Sequence, residues 1–224
     1  MKLITFQSKE ALEYLMQNGY LKCEKIYRNT DKYGIVYDWI IDNMNKLVKN
    51  DVNAKYPIWC WVKYNRSICP PKHKGERNEK IYAKITFEKN EEDVFITDYR
   101  KYSFLLNNIY IPNSKKDKEW FENLLEEKNV TLNDLKAYVR RDKFDSYRTD
   151  KEYNEVLKIV QNSFDRAITK DSNILQGCVW SINIRDIKSI EILRNDGYVY
   201  GSANFLRADG TRRNWIKEYY KTLK

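Results

Sequence analysis

The chain has 224 residues, 42% hydrophobic and 33% charged, with only seven Gly and four Pro, which fits a folded domain and excludes a disordered chain or long flexible linkers. Lys plus Arg number 41 against 32 Asp plus Glu, and the net charge of +9 favours acidic partners, nucleic acid or an acidic protein, while the mixing of lysine with glutamate along the chain also suits a solvated surface. Four scattered cysteines, no basic-then-apolar start and no apolar run near the roughly 20 residues of a membrane span argue against a disulfide framework or a membrane protein, so a cytoplasmic protein is expected.

In chain order, "KLITFQSKEALEYLMQNGYLKCEK" reads as strand, helix, strand. Ser8 is placed to cap the helix, Ala11, Leu12, Leu15 and Met16 recur at helical spacing, and Gly19 stands where a left-handed residue closes it. A second helix is expected across "IVYDWIIDNMNKLV", from the spacing of Val36, Trp39, Ile40, Met44 and Leu47. The aromatic strand "YPIWCWVKY" follows, then a polar loop over residues 65–80 with a Pro-Pro pair. "KIYAKITFE" alternates as a half-buried strand, and "EEDVFITDY" opens another after an acidic turn. From Tyr99 to about Lys170 the spacing is helical; strands return at "ILQGCVWSINI", "IKSIEILR" and "GYVYGSANFLRADGTRRN", before a basic helix, "NWIKEYYKTLK". Strands at both ends with helices between them predict an α+β domain over residues 1–194, with a helical layer at about 99–170 and a C-terminal hairpin and helix, 195–224, packed on it.

Several chemistries lack their residues. The single His73 and the absence of any Cys-x-x-Cys pair give no ligand set for a metal, so none is expected, and a His-dependent nucleophile would need that one residue. The glycines are isolated, so there is no phosphate-cradling Gly-rich turn. Asp98 ends the strand "VFITD", where a carboxylate can face a cleft, and it can equally cap the helix opening at Tyr99. On the aromatic strand, alternation puts Ile58, Cys60 and Val62 in one row and Trp59, Trp61 and Lys63 in the other. The first row is core; the second is either more core or a flat wall for a planar ligand. Arg207, Arg212 and Arg213 cluster at a turn beside the closing helix, where they could follow a phosphate backbone or simply face water.

The segments "TFQSKEALEYLMQNG", "VYDWI", "YPIWCW", "ITFEKNEEDVFITDY", "NSFDRAI" and "LQGCVWSINIRDI" resemble a bacterial family known as a domain of unknown function, over about residues 1–192. More distantly, the order of a first strand ending in a polar residue, a short helix, "NGYL" and a late "LQGCVW" strand resembles ADP-ribosyltransferase-like proteins, including toxins that modify DNA bases. That resemblance implies small mixed or antiparallel sheets around a cleft with a helical insertion, NAD as a substrate, and an acceptor on nucleic acid or protein in toxin, phage-defence or counter-defence biology. It places Thr5 and Gln7 at the first catalytic position and Gln176 to Cys178 at the last, with Gln7 and Gln176 as the catalytic pair, and sets Thr5, Phe6, Tyr56, Trp59 and Trp61 against the dinucleotide. The glutamate usual on the late strand is absent, so Asp98 is expected to supply the carboxylate, with Glu88 or Asp165 as substitutes. Trp59 and Trp61 are expected to line the same cleft as Gln7. The alternative is a non-catalytic module on the same scaffold that binds nucleotides, nucleic acid or another protein.

Overall fold

The strands and the capped helices fall into two units of the chain, the first built mainly of strands and the second of helices. The computed structural model describes residues 1–24, 30–69, 81–139, 148–194 and 199–204. The first unit comprises residues 1–25, 44–95 and 175–224, and the second residues 26–43 and 96–174.

In the first unit, β1 (Lys2–Ser8) runs into α1 (Lys9–Asn18), and β2 (Tyr20–Lys22) follows directly. The local signals act as read: Ser8 Oγ accepts from the Ala11 N–H at 3.2 Å, and Gly19, at φ 79°, closes the helix by donating its N–H to the Leu15 carbonyl. Leu12 and Leu15 are the buried face of α1. Further along come β3 (Ile58–Tyr64), β4 (Ile81–Glu88), β6 (Ile174–Val179), β7 (Ser181–Asn183), β8 (Ile187–Arg194) and β9 (Val199–Asn204). These build a sheet in the order β6-β3-β1-β4-β8-β9, with β7 pairing antiparallel with β2 as a separate two-stranded ribbon. The strand β5 (Phe95–Asp98) has its first residue in this unit and the others in the second. The pairs β1–β3, β1–β4, β4–β8 and β8–β9 are antiparallel.

The architecture is therefore α+β with a mostly antiparallel open sheet. It departs from the expected set of small sheets, because strands from both ends of the sequence enter one wide sheet, with β2 and β7 as a separate ribbon. Strand length and alternation carry no information about which strands share a sheet. One face of this sheet is closed: Leu3, Thr5, Ile58, Cys60, Ala83, Ile85, Ile190 and Ile192 are all buried there.

The second unit is helical. The helix α2 (Thr30–Leu47) begins in it and ends in the first unit, starting earlier than the spacing of its apolar residues suggested. After β5 come α3 (Tyr99–Leu106), α4 (Lys115–Glu127), α5 (Leu132–Val139) and α6 (Lys151–Asn162). Asp98, Ser114 and Asp150 cap α3, α4 and α6 through side-chain oxygens that accept first-turn N–H groups. Tyr153, Val156, Leu157 and Val160 form the buried stripe of α6. Beyond it Phe164 is buried and meets the Trp39 ring edge-on at 6.4 Å, while the Trp39 indole N–H donates to Asp165 at 3.0 Å. No helix among the described residues is long and apolar enough to cross a membrane.

Candidate functional site

The other face of the first unit's sheet is not uniformly covered. The register pairs Ile4 with Trp61, Phe6 with Lys84, and Lys84 with Glu191. Counting on from Ile4 and Trp61 sets Trp59 beside Phe6, so Trp59, Phe6, Lys84 and Glu191 form one row across β3, β1, β4 and β8. All four side chains are half-buried. On one side of the row lie Trp61, Ile4 and Thr86, which are 7%, 7% and 6% exposed; on the other lie the buried Tyr82 and Leu193. The row is thus a shallow trough across four strands, two rings at one end and an ion pair at the other.

The aromatic end is fixed by packing. Phe6 leans on Tyr82 with ring centres 6.0 Å apart, and Trp61 meets Tyr64 edge-on at 5.8 Å. At the ionic end Lys84 Nζ donates to Glu191 Oε1 at 2.9 Å. A half-exposed pair of this kind contributes about 0–1 kcal/mol, so a ligand can exchange it at little cost. Cys69 borders the same end: burial pushes its thiol up, against the pull of Lys84 and with the push of Glu191.

Of the residues expected to act together, Thr5 and Gln7 lie on the sheet face opposite Trp59. Thr5 is on the closed face, where its hydroxyl donates to the Trp59 carbonyl at 2.7 Å and accepts from Gln7 Nε2 at 2.7 Å. Gln7 has the same parity in β1 as Thr5, so it faces away from Trp59 and Trp61; the expectation that it shares their cleft is corrected by the register. Gln176 is half-buried and follows the parity opposite to Gly177, whose missing Cβ would meet Val62 and Cys60, so it falls on the Trp59 side. Tyr56 precedes β3 and bridges to Cys23, donating its N–H to the Cys23 carbonyl at 3.1 Å. Trp61 is buried, whereas Phe6 and Trp59 are half-buried.

Asp98 belongs to the second unit and is only 3% exposed. Its Oδ1 accepts from the N–H groups of Arg100 and Lys101 at 2.7 and 3.3 Å, and Oδ2 from the Arg100 guanidinium at 3.4 Å. Burial alone would push its carboxyl up, but hydrogen bonds from Ser172, those two N–H groups and the Arg100 guanidinium outweigh it and hold the group below the usual carboxylate range. Oδ1 is therefore spent on helix capping and Oδ2 on the Arg100 guanidinium. Because its folded-state pKa lies below the unfolded one, its stabilisation is present above the unfolded value and is lost as the pH falls through the folded one. Asp98→Ala is expected to cost about 1 kcal/mol in chemical denaturation, and Asp98→Asn, an equally good cap, clearly less. Equal losses in the two variants would mean that the charge rather than the cap matters.

The substitutes are also engaged. Glu88 is exposed and pairs with Lys188 at 2.9 Å, and Asp165 holds the Trp39 indole. Burial pushes the Cys60 thiol up to about 12, and it donates to the Gly177 carbonyl; Cys178 is likewise pushed well up by burial, so neither is a nucleophile at neutral pH. Among the described residues no group of three or more His, Cys, Asp or Glu could hold a metal. His73, Arg207, Arg212 and Arg213 lie outside the described residues.

Lys84 and Glu191 are absent from the sequence-derived site. Each was visible as a polar position in an alternating strand, but their meeting depends on β4 and β8 being neighbours across 107 residues of chain. The family model described as Domain of unknown function (DUF3841) matches residues 2–188. No curated protein and no solved structure matches the chain.

Proposed function

The chain belongs to the DUF3841 family, whose description attaches no activity to it, and we propose that it is a binding module for a nucleotide or for single-stranded nucleic acid. A base would stack on Trp59 and Phe6, and a phosphate would draw Lys84 away from Glu191. The observation that carries this reading is the half-open row between two buried ones. Base-on-aromatic stacking is worth about 1–3 kcal/mol and tolerates any base, and a lysine at a weak, exchangeable ion pair suits a backbone phosphate. The net charge of +9 adds long-range attraction.

Calorimetric titration of the full chain with AMP, NAD and a short single-stranded oligonucleotide, at low and high salt, tests the proposal. Trp59→Ala is expected to weaken binding by about tenfold, the size of one stacked base. Lys84→Gln should flatten the salt dependence. Absence of binding in the parent at low salt, or affinities unchanged in both variants, overturns the reading.

A second reading, an ADP-ribosyltransferase-like enzyme using NAD as substrate and modifying nucleic acid or protein as toxins and phage-defence factors do, draws support from Glu191. It is a carboxylate on a late strand, and it ends the row that begins with the rings. This reading predicts nicotinamide release from labelled NAD that disappears in Glu191→Gln. NAD binding without release leaves only the binding module.

A further inference from the structure

The second unit holds a cavity of about 390 Å³ that the reading above does not use. Its chemistry starts from Asp117 in the first turn of α4. The carboxylate accepts from the Tyr110 hydroxyl at 2.7 Å, from the Asn113 N–H at 2.7 Å and from Arg166 Nη1 at 2.8 Å. Hydrogen bonds from Asn113 first and then from Tyr110, reinforced by Arg166, hold its carboxyl below the usual range, so it stays ionised and its oxygens stay taken. Arg166 Nη1 spends its other proton on the Ile111 carbonyl at 2.6 Å. The guanidinium carbon then sits 4.9 Å from the centre of the Tyr110 ring, which is itself stacked on Phe121 at 4.2 Å and 11°.

Arg166 is thus clamped through one nitrogen. Apart from the Tyr110 hydroxyl, towards which the guanidinium is drawn, no described residue accepts a hydrogen bond from its Nε or Nη2, so they are left as a second pair of donors on a residue that lines the cavity. Trp120 lines it too and is 49% exposed, the only exposed tryptophan among the described residues. Asn162, also exposed, adds an amide, and Ile159 an apolar wall.

We propose that this cavity binds a small aromatic anion, with its carboxylate or phosphate held side-on by Nε and Nη2 of Arg166 and its ring against Trp120. The planar fork of arginine matches both acidic groups. The charge of Asp117 is answered by its three donors and does not repel the ligand across an open gap. The volume lies near the lower end of the roughly 300–1,000 Å³ of ligand pockets, which suits one ring with one acidic group better than a dinucleotide.

The test uses the full chain, with phenyl phosphate and benzoate as probes and benzamidine as a cation of the same ring size, followed by saturation-transfer NMR and calorimetry. Either anion, or both, is expected to bind, the tighter one identifying the acidic group, and benzamidine is expected not to. Trp120→Ala, at an exposed position, should weaken binding by about tenfold with an unchanged melting temperature. Arg166→Lys keeps the charge but removes the fork and should weaken it by a similar factor of about ten. Because Arg166 also supports Ile111 and Asp117, its melting temperature is measured alongside, and Trp120→Ala decides if Arg166→Lys is unstable. Binding of benzamidine as tight as that of the anions, no binding of any probe, or a Trp120→Ala affinity equal to that of the parent overturns the proposal.

Discussion

Trp61→Ala is expected to destabilise the protein by about 3–5 kcal/mol, the cost of removing a buried tryptophan, while Trp59→Ala, two residues away on the same strand face, should cost clearly less. Trp61 is 7% exposed and closes one side of the trough with Ile4 and Thr86, its ring edge-on to Tyr64. Its deletion leaves a cavity that a paired sheet cannot collapse to fill. Trp59 is half-buried, so most of what it loses is surface that was already partly wet. At roughly 2–4 °C per kcal/mol for a chain of this size, the difference between the variants is readable in a melting curve, and urea titration gives the free energy. The same two proteins separate stability from binding: Trp59→Ala should bind the ligand about tenfold more weakly while keeping most of its stability. Equal losses of stability would make both indoles core and remove the row as a site.

The local structure was legible because its causes are local. Ser8 and Gly19 bound α1 on their own, and the alternation of "KIYAKITFE" announces a strand with Ala83, Ile85 and Phe87 on the covered face. The site was less legible because its parts depend on register and sheet order. Gln7 and Trp59 could be placed together only by assuming a register between β1 and β3, and a shift of one residue exchanges the faces. The observed pairing of Ile4 with Trp61 puts Phe6 with the indoles and Gln7 against them. Asp98 carried two readings, site and cap, and the structure shows the cap: its Oδ1 accepts two N–H groups at the start of α3 that the helix itself leaves unpaired. Arg166 had no sequence signal at all, because its role depends on Asp117, which lies 49 residues earlier.

Gly177→Ala is expected to cost about 1–3 kcal/mol, although it adds a single methyl group. An ideal Cβ at this position would lie 2.8 Å from Val94 Cγ1, 2.9 Å from Val62 Cγ2 and 3.3 Å from Cys60 Sγ. The two nearest neighbours are β-branched side chains with little freedom at χ1, so they cannot swing aside without moving backbone. The Cys60 thiol is also fixed, since it donates to the Gly177 carbonyl at 3.3 Å across the two strands. The absence of a side chain here lets β6 lie close against β3, and the same approach sets where the neighbouring Gln176 stands on the Trp59 side. The methyl should therefore push the strands apart and disturb both stability and binding at the row. Val62→Ala in the same protein relieves one of the two closest contacts and leaves the one with Val94: the double variant should recover part of the lost stability, with a coupling energy of about 0.5–3 kcal/mol between the two positions. A double-mutant cycle by urea denaturation measures this, and strict additivity of the two losses would show that the close packing at Gly177 does not set the spacing of β3 and β6.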